Sequence, residues 1–329
     1  MQSNNHLILA FGMRRSGTSW LGKILDSHPD TLYRHEPDSL VKLAKVPFFP
    51  TEALDQQAQD SVREYVDNID KIKAATVCAK LPFFSKNYYS SFRFALYKIN
   101  ALIAKVFIKH LNSQVPVFNF IGKSKRNEAR LVWKSIESVP RLGELAKACP
   151  EAKIVLIVRH PCGFIASFLK GQAQGHMPVT AANNVDKVIW ERQLKWEQAK
   201  AYGLTMEKIL SMSQIQVLAW EWLICNEKAI SDLKDNANAL VVRYEDLCQS
   251  PEQEAKKLFA HCDLSWNEQS DAFVSKSTQQ KGDSAYFSVF KDPSVTANKW
   301  RETLSQEDID TVKEIVSQSP AGKLFLDLF

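Results

Sequence analysis

Short apolar runs alternate along the chain with stretches that have the spacing of helices. Five runs have the length and continuity of buried parallel strands, and they lie at 7–11, 31–34, 130–133, 154–158 and 239–242. Parallel strands must be joined by crossovers, and helical patterns fill the intervals. The sequence therefore predicts an α/β fold with a doubly wound parallel β-sheet flanked by helices.

The alternation fails between about residues 40 and 128, where the chain carries a long insertion with helical stretches near 55–73 and 88–111. We expect this insertion to form a helical cap on the rim of the sheet. A further helical block at about 185–233 contains four tryptophans, which we expect in the core rather than in a sugar-binding platform. The whole chain, 1–329, is predicted to form one domain.

The stretch 88–111 has one apolar helical face and carries Arg93, Lys98, Lys105 and Lys109 elsewhere. A basic amphipathic helix of this kind suits peripheral contact with an anionic membrane or an anionic glycan. We favour a helix docked on the core, because apolar stripes at this spacing are usually packing faces.

A glycine turn rich in hydroxyl and basic side chains follows the first predicted strand. It runs from Gly12 to Ser19 as Gly-Met-Arg-Arg-Ser-Gly-Thr-Ser, and a helical repeat comes next. Backbone N–H groups of such a turn and the positive end of the following helix converge on phosphate oxygens. Thr18-Ser19 replaces the Lys-Ser/Thr of an ATP-binding P-loop. The loop predicts a P-loop-type nucleotide site without ATP hydrolysis.

The fourth predicted strand lacks the acid that would hold a metal. After 154–158 the chain reads Arg159-His160-Pro161, where a magnesium-dependent NTPase would carry a carboxylate. Arg159 can face the same crevice as the first loop. So can Ser167, which lies about one turn into the next helix. Two anion sites at one sheet edge predict a nucleotide with two separated phosphates and no metal requirement.

Composition and charge narrow the classes of partner. A net charge of +5 suits an anionic ligand but is too small for general nucleic-acid binding. The six cysteines include no C-x-x-C pair, so no zinc or redox motif is predicted and the thiols are expected to be reduced. The sequence has no signal segment and no run of 18 apolar residues, so we expect a cytoplasmic location unless an anchor has been removed.

Several motifs together resemble the sulfotransferases that use 3′-phosphoadenosine-5′-phosphosulfate (PAPS). The motifs are residues 15–20, Arg159-His160-Pro161 with Ser167, residues 243–247, and Trp300-Arg301 with Leu304. The resemblance covers residues 6–37, 129–170, 239–265 and about 296–316, in the family's order.

The resemblance implies a set of cofactor-binding residues. The first loop would hold the 5′-phosphosulfate, with contacts from Arg14, Arg15, Ser16, Gly17, Thr18, Ser19 and Trp20. Arg159 and Ser167 would hold the 3′-phosphate, and Tyr244 matches a tyrosine near the adenine in related members. Trp300-Arg301 resembles the family's closing tryptophan-basic motif. The Arg-Lys-Gly that cytosolic members carry upstream is missing, and Lys281-Gly282 lies too far back to align with it.

A Glu-Pro step suggests the branch of the family. Residues 27–30 (Ser-His-Pro-Asp) and 33–37 (Tyr-Arg-His-Glu-Pro) are similar to the carbohydrate sulfotransferases, in which the glutamate of this step is the base. The spacing agrees, because a helix over 18–26 is about 14 Å long and the His-Pro-Asp turn sends the second strand back to the loop. The resemblance thus implies that Glu36 is the general base.

Other residues at this edge have candidate roles. Arg15 is expected to stabilise charge on the departing phosphate oxygen. His35 is the alternative base, although a surface imidazole is the commoner role for a lone histidine at a strand end. Lys134 either reaches the sulfonate or is a solvated strand-end lysine.

The function implied is transfer of a sulfuryl group from PAPS to a hydroxyl or amine of a carbohydrate-like or glycolipid-like acceptor. The alternative enzyme is a P-loop small-molecule kinase, which the missing P-loop lysine and Arg159 disfavour. A nucleotide-binding scaffold without catalysis is the third reading, disfavoured by Glu36 beside an intact Arg15 loop.

Overall fold

A computed structural model describes residues 7–111, 115–118, 129–176, 185–279 and 293–329. Within these ranges, five parallel strands form one sheet in the order β2-β3-β1-β4-β5. The strands are β1 (Leu7–Phe11), β2 (Thr31–His35), β3 (Arg130–Ser135), β4 (Lys153–Val158) and β5 (Ala239–Arg243). All five predicted strands are present, and the predicted parallel α/β sheet is confirmed.

Helices fill the intervals between the strands and follow the last one. In the N-terminal half they are α1 (Thr18–Asp26), α2 (Pro37–Leu40), α3 (Gln56–Ile69), α4 (Ala75–Cys78), α5 (Ser91–Leu111) and α6 (Leu142–Ala148). After β4 they are α7 (Pro161–Ala173), α8 (Lys187–Gln193), α9 (Glu197–Ala201), α10 (Met206–Ser211) and α11 (Gln214–Leu233). After β5 they are α12 (Tyr244–Gln249), α13 (Pro251–His261), α14 (Glu268–Thr278), α15 (Pro293–Asn298), α16 (Trp300–Thr303), α17 (Gln306–Ser317) and α18 (Pro320–Lys323).

The sheet separates two layers of buried apolar side chains, because successive residues of a strand point to opposite faces. In β1, Leu9 and Phe11 face the layer that contains Trp133, whereas Ile8 and Ala10 face the other. Every residue of β1 is at most 3% exposed. This burial on both faces explains why the strand is a continuous apolar run rather than an alternating one.

The four tryptophans of the α8–α11 block belong to the core, as predicted. Trp190, Trp196, Trp220 and Trp222 are all buried. The indole N–H of Trp222 donates to the carbonyl of Arg159 at 2.9 Å. This core tryptophan therefore fixes the backbone where β4 ends.

Helix α5 does not dock in the way the sequence analysis favoured. Only Ala101 and Ala104 of its 21 residues are buried. The large apolar side chains along the other faces are exposed, among them Phe92 at 73% and Ile99 at 56%. The expectation that the apolar stripe packs on the core is wrong, because two alanines and their neighbours suffice to attach the helix and the stripe faces outward.

All six cysteines are buried with free thiols. None of the helices in the described ranges combines the length and apolar character needed to cross a bilayer. The described residues contain no group of three or more metal-ligating side chains.

Candidate active site

The predicted site residues come together because the strands are parallel. The carboxyl ends of β1, β2, β3 and β4 lie at one edge, where ligands bind in folds of this type. The register places His35 of β2 opposite Lys134 of β3, and Val158 of β4 opposite Arg243 of β5. Loops that are far apart in sequence therefore meet at one crevice.

The glycine turn between β1 and α1 has the geometry of an anion cradle. Gly17 caps α1 with φ 88° and ψ 9° and, having no side chain, makes no side-chain cap hydrogen bond to the helix. A Cβ on Gly17 would lie 2.4 Å from the ring of Tyr244, so only glycine fits between the loop and α12. The hydroxyl of Ser16 is buried and has no hydrogen-bond partner among the described residues. Uncapped amides and an unpartnered buried hydroxyl fit a bound phosphate or sulfate group.

Hydrogen bonds join the glycine turn directly to the motif that contains Arg159 and Ser167. The Nε of Arg15 donates to the Oγ of Ser167 at 2.9 Å. The guanidinium of Arg159 donates to the carbonyl of Arg15 at 3.0 Å and to that of Thr296 at 3.1 Å. Ser167 was predicted to lie about one turn into the helix, and it lies in the second turn of α7. The two expected anion sites thus share one hydrogen-bonded cluster.

The Arg159 side chain is buried and packs against an aromatic ring. Its guanidinium lies 4.9 Å from the ring centre of Tyr244, and its Nε is buried without a partner among the described residues. The carboxylate of Glu245 accepts from the backbone N–H of His160 at 3.1 Å. Burial raises the pKa of Glu245 to about 7, against the opposing charge of Arg159. Arg159 therefore lies beside an acid whose charged form is disfavoured by burial.

The Trp300-Arg301 motif packs against His160, the residue that follows Arg159. The ring of Trp300 stacks on His160 with centroids 4.5 Å apart and an interplanar angle of 6°. Burial and the charges of Arg301 and Arg159 lower the pKa of His160 to about 3. Arg301 lies over Trp300 and donates to the carbonyl of Leu328 at 2.5 Å. His160 is therefore a neutral ring that packs, and it adds no charge to the site.

The remaining cofactor candidates of the first loop differ in where their side chains go. The indole N–H of Trp20 donates to the Oγ of Ser277 at 3.0 Å, and Thr18 is buried beside a half-buried Ser19. Arg14 does not join the cluster: its guanidinium forms two 2.6 Å hydrogen bonds with Glu221 of α11. Its charge is already matched by a carboxylate. Lys281-Gly282 lies outside the described residues.

Glu36 sits where β2 ends, held in a left-handed conformation with φ 48° and ψ 51°. Its N–H donates to the carbonyl of Lys134 at 2.8 Å, and its carbonyl accepts from the Oγ of Ser39 at 2.7 Å. Its carboxylate is hydrogen-bonded to the ammonium of Lys134 and lies 3.7 Å from the Nε2 of His35. The backbone thus fixes the carboxylate at the sheet edge that carries the glycine turn.

The neighbours of Glu36 are buried, contrary to expectation. Lys134 has a side chain only 1% exposed, so the solvated alternative for it is wrong. His35 is buried too, with its Nδ1 2.7 Å from the hydroxyl of Tyr33, so the surface reading is also wrong. Burial, with the charges of Lys134 and Lys80, holds the pKa of His35 well below its usual range. The ring is neutral at physiological pH.

A family model for the sulfotransferase family matches residues 8–268, which is most of the chain. The chain belongs to the sulfotransferase family. Among solved structures, this sulfotransferase is similar to a sulfotransferase domain from the curacin biosynthetic pathway, at 16% identity, 95% and 96% coverage of the two chains and a TM-score of 0.44.

Two further solved structures have similar scores. The mouse sulfotransferase SULT7A1 complexed with PAP shares 13% identity over 99% of this chain and 90% of that one, with a TM-score of 0.43. A sulfotransferase from Alicyclobacillus acidocaldarius shares 13% identity over 95% of each chain, with a TM-score of 0.40. The comparison with curated proteins found no match. At these TM-scores the assignment to the family rests on the family model alone.

Sequence reasoning missed residues that hold the site together. Asp38 is fully buried and accepts from the indole of Trp133 at 3.2 Å and from the hydroxyls of Ser135 and Ser138 at 2.5 Å each. These bonds tie the start of α2 to the end of β3, on either side of the Glu36–Lys134 pair. The signal available was the acid that directly follows the Glu-Pro step, in a segment interpreted only for Glu36 and His35.

Proposed function

We propose that this sulfotransferase uses PAPS as donor and sulfates a hydroxyl or amine of a carbohydrate-like or glycolipid-like acceptor. The observation that carries the proposal is the cluster of Arg15, Ser167 and Arg159, in which one loop and one strand end bring two cationic groups to a single crevice. A donor with phosphates at both the 5′ and 3′ positions needs two such anion sites.

The residues present fit this donor. The buried hydroxyl of Ser16 and the buried Nε of Arg159 lack partners among the described residues. A buried donor without an acceptor costs about 1–3 kcal/mol, so these groups favour a bound anion. Ser16, Thr18 and Ser19 would hold the 5′ end, and Arg159 with Ser167 would hold the 3′-phosphate. When bound, the donor supplies the sulfuryl group and a phosphate leaving group.

In the proposed mechanism, Glu36 receives the proton of the acceptor. Lys134 holds that carboxylate in place through an ion pair. Neutral His35 packs against the pair and is anchored by Tyr33. Arg15 stabilises the negative charge that develops on the leaving group, and such preorganised charge is a large contribution to catalysis.

The Glu-Pro step at Glu36 supports the carbohydrate branch. Residues 33–37 are similar to the segment of the carbohydrate sulfotransferases whose glutamate is the base. The carboxylate of Glu36 lies at the same sheet edge as the glycine turn. A cytoplasmic location and a single domain over 1–329 stay predictions that accompany this proposal.

An acceptor screen with sulfur-labelled PAPS tests the proposal. Mono- and oligosaccharides, glycolipids and simple amines are offered with and without EDTA. We expect label to reach a sugar hydroxyl or amine, with transfer unaffected by EDTA. Transfer from labelled ATP that EDTA abolishes would instead identify a kinase, and no turnover with either donor would support a scaffold.

A further inference from the structure

Helix α5 leaves a broad apolar surface uncovered. Eight large apolar side chains of the helix are exposed by 36% to 73% each: Phe92, Leu96, Ile99, Leu102, Ile103, Val106, Phe107 and Leu111. Together they expose on the order of several hundred Å², which matches or exceeds the largest patch on an ordinary monomer. We call this set the α5 face.

The helix is fixed to the protein by its opposite side. Ala101 and Ala104 are fully buried, and the hydroxyl of Tyr97 donates to the carbonyl of Cys78 at 2.6 Å. The ammonium of Lys105 donates to the carbonyl of Ala79 at 3.3 Å. The small alanines allow close approach, so the helix lies flat against α4 and presents its apolar side outward. With 21 residues it is about 31 Å long.

Cations border the α5 face on both sides. At 100° per residue, Leu96, Ile99, Ile103 and Val106 fall within a strip about 80° wide. Lys98 and Lys109 lie along one margin of the exposed side chains, and Arg93 lies along the other. Lysine and arginine stems at such margins reach from an apolar surface to lipid headgroups.

The surrounding sequence is strongly basic. From Lys71 to Phe118 the chain carries eight lysines and arginines and no aspartate or glutamate, whereas the whole chain has a net charge of only +5. The rest of the chain is therefore net negative, and the excess positive charge lies in the segment that contains α5. Lys86 is the exception to this surface charge, because it is buried and paired with Asp26. This distribution matches an anionic surface and opposes the packing of a second copy of this chain on the same face.

We propose that the α5 face docks the protein on an anionic lipid surface, with the helix lying in the interfacial plane. An apolar strip of this width, flanked by cations and lacking acids, is the pattern of interfacial helices. Helix α5 is connected to the site through α4, which contacts both α5 and β2, and β2 leads to Glu36. The inference is independent of the proposed reaction, because binding to vesicles needs neither donor nor acceptor.

Vesicle sedimentation tests the proposal with the full chain. Vesicles of phosphatidylcholine alone are compared with vesicles containing about one third phosphatidylglycerol, at low and high salt. We expect binding to the anionic vesicles that weakens with salt. The variant Lys98→Gln/Lys109→Gln should bind about 25-fold more weakly, at about fivefold per lysine. The variant Ile99→Glu/Ile103→Glu should lose binding at least tenfold.

Matched variants elsewhere on the surface serve as controls. Val188→Glu changes an apolar residue that is 59% exposed, and Lys256→Gln/Lys257→Gln removes two exposed charges from α13. We expect both to bind vesicles as the wild type does. Circular dichroism and unchanged binding of adenosine 3′,5′-bisphosphate show that the α5 variants are folded.

Three results would overturn the proposal. The first is a wild-type protein that does not bind anionic vesicles, and the second is α5 variants that bind them no less tightly than the controls do. The third is a wild-type dimer in sedimentation velocity that Ile99→Glu/Ile103→Glu converts to monomer without any vesicle binding, which would make the α5 face an interface between copies.

Discussion

The change Glu36→Gln is expected to lower stability as well as activity, because it leaves the buried ammonium of Lys134 without its carboxylate partner. A unit-charge pair about 4 Å apart at an effective dielectric constant near 20 is worth about 4 kcal/mol. Lys134 can limit the loss by releasing its proton. That release costs about 4.8 kcal/mol at pH 7 and about 2 kcal/mol at pH 9 for a lysine whose ordinary pKa is 10.5.

The sign of the pH dependence follows from these values. Burial already lowers the pKa of Lys134, and loss of Glu36 lowers it further, since Glu36 opposes that effect. The unfolded variant then binds more protons than the folded one, so its stability rises with pH. We expect Glu36→Gln to lose roughly 3–4 kcal/mol at pH 7 and at most about 2 kcal/mol at pH 9.

Urea unfolding at pH 7, 8 and 9 measures this loss, and a paired variant separates stability from catalysis. Glu36→Gln/Lys134→Met removes both charges and should recover most of the stability, because a buried pair can be replaced by apolar groups at little cost. Transfer should stay about 10²–10⁴-fold below wild type in both variants. A Glu36→Gln protein as stable as wild type at every pH would refute the pairing, and recovered transfer in the double variant would refute Glu36 as base.

Three further changes probe other parts of the site. Arg15→Ala should lower the single-turnover rate more than donor affinity, with partial rescue by lysine; a defect confined to affinity would contradict this role. Gly17→Ala should weaken adenosine 3′,5′-bisphosphate binding at least about tenfold, because the new Cβ would meet the ring of Tyr244. The control Gly175→Ala, at φ 69° with open space around it, should leave that binding unchanged. For Glu245, whose pKa rises from 4.5 to about 7 on folding, the carboxyl's contribution to stability is lost as the pH rises from 4.5 to 7. Urea unfolding should therefore find Glu245→Gln gaining stability relative to wild type over that range, and a constant difference would count against the burial of this carboxyl.

The strands were predictable because each contains a short apolar run, which in β1 and β2 is buried on both faces. The glycine turn was predictable because an apolar strand, a basic glycine loop and a helical repeat follow one another in the sequence. β1 and α1 have the predicted bounds. Partners that lie far apart in sequence were not predictable. The pairing of Lys134 with Glu36 depends on the register of β2 and β3, and that of Arg14 with Glu221 joins residues 207 positions apart.

Helix α5 shows the limit of reading a hydrophobic pattern. Its stripe has the spacing of a packing face, and periodicity alone does not say which side meets the protein. Ala101 and Ala104 made the contact instead, because small side chains let the helix approach α4 closely. The lack of acids around this helix was the better signal.

Titration calorimetry with adenosine 3′,5′-bisphosphate and with AMP tests whether the protein has two anion sites, because only the bisphosphate fills both. We expect the bisphosphate to bind about 10- to 150-fold more tightly, because a charge-assisted hydrogen-bonded group is worth about 1.5–3 kcal/mol. Arg159→Ala should erase that difference. Equal affinities of the wild-type protein for the two nucleotides would show that Arg159 and Ser167 do not form a second phosphate site.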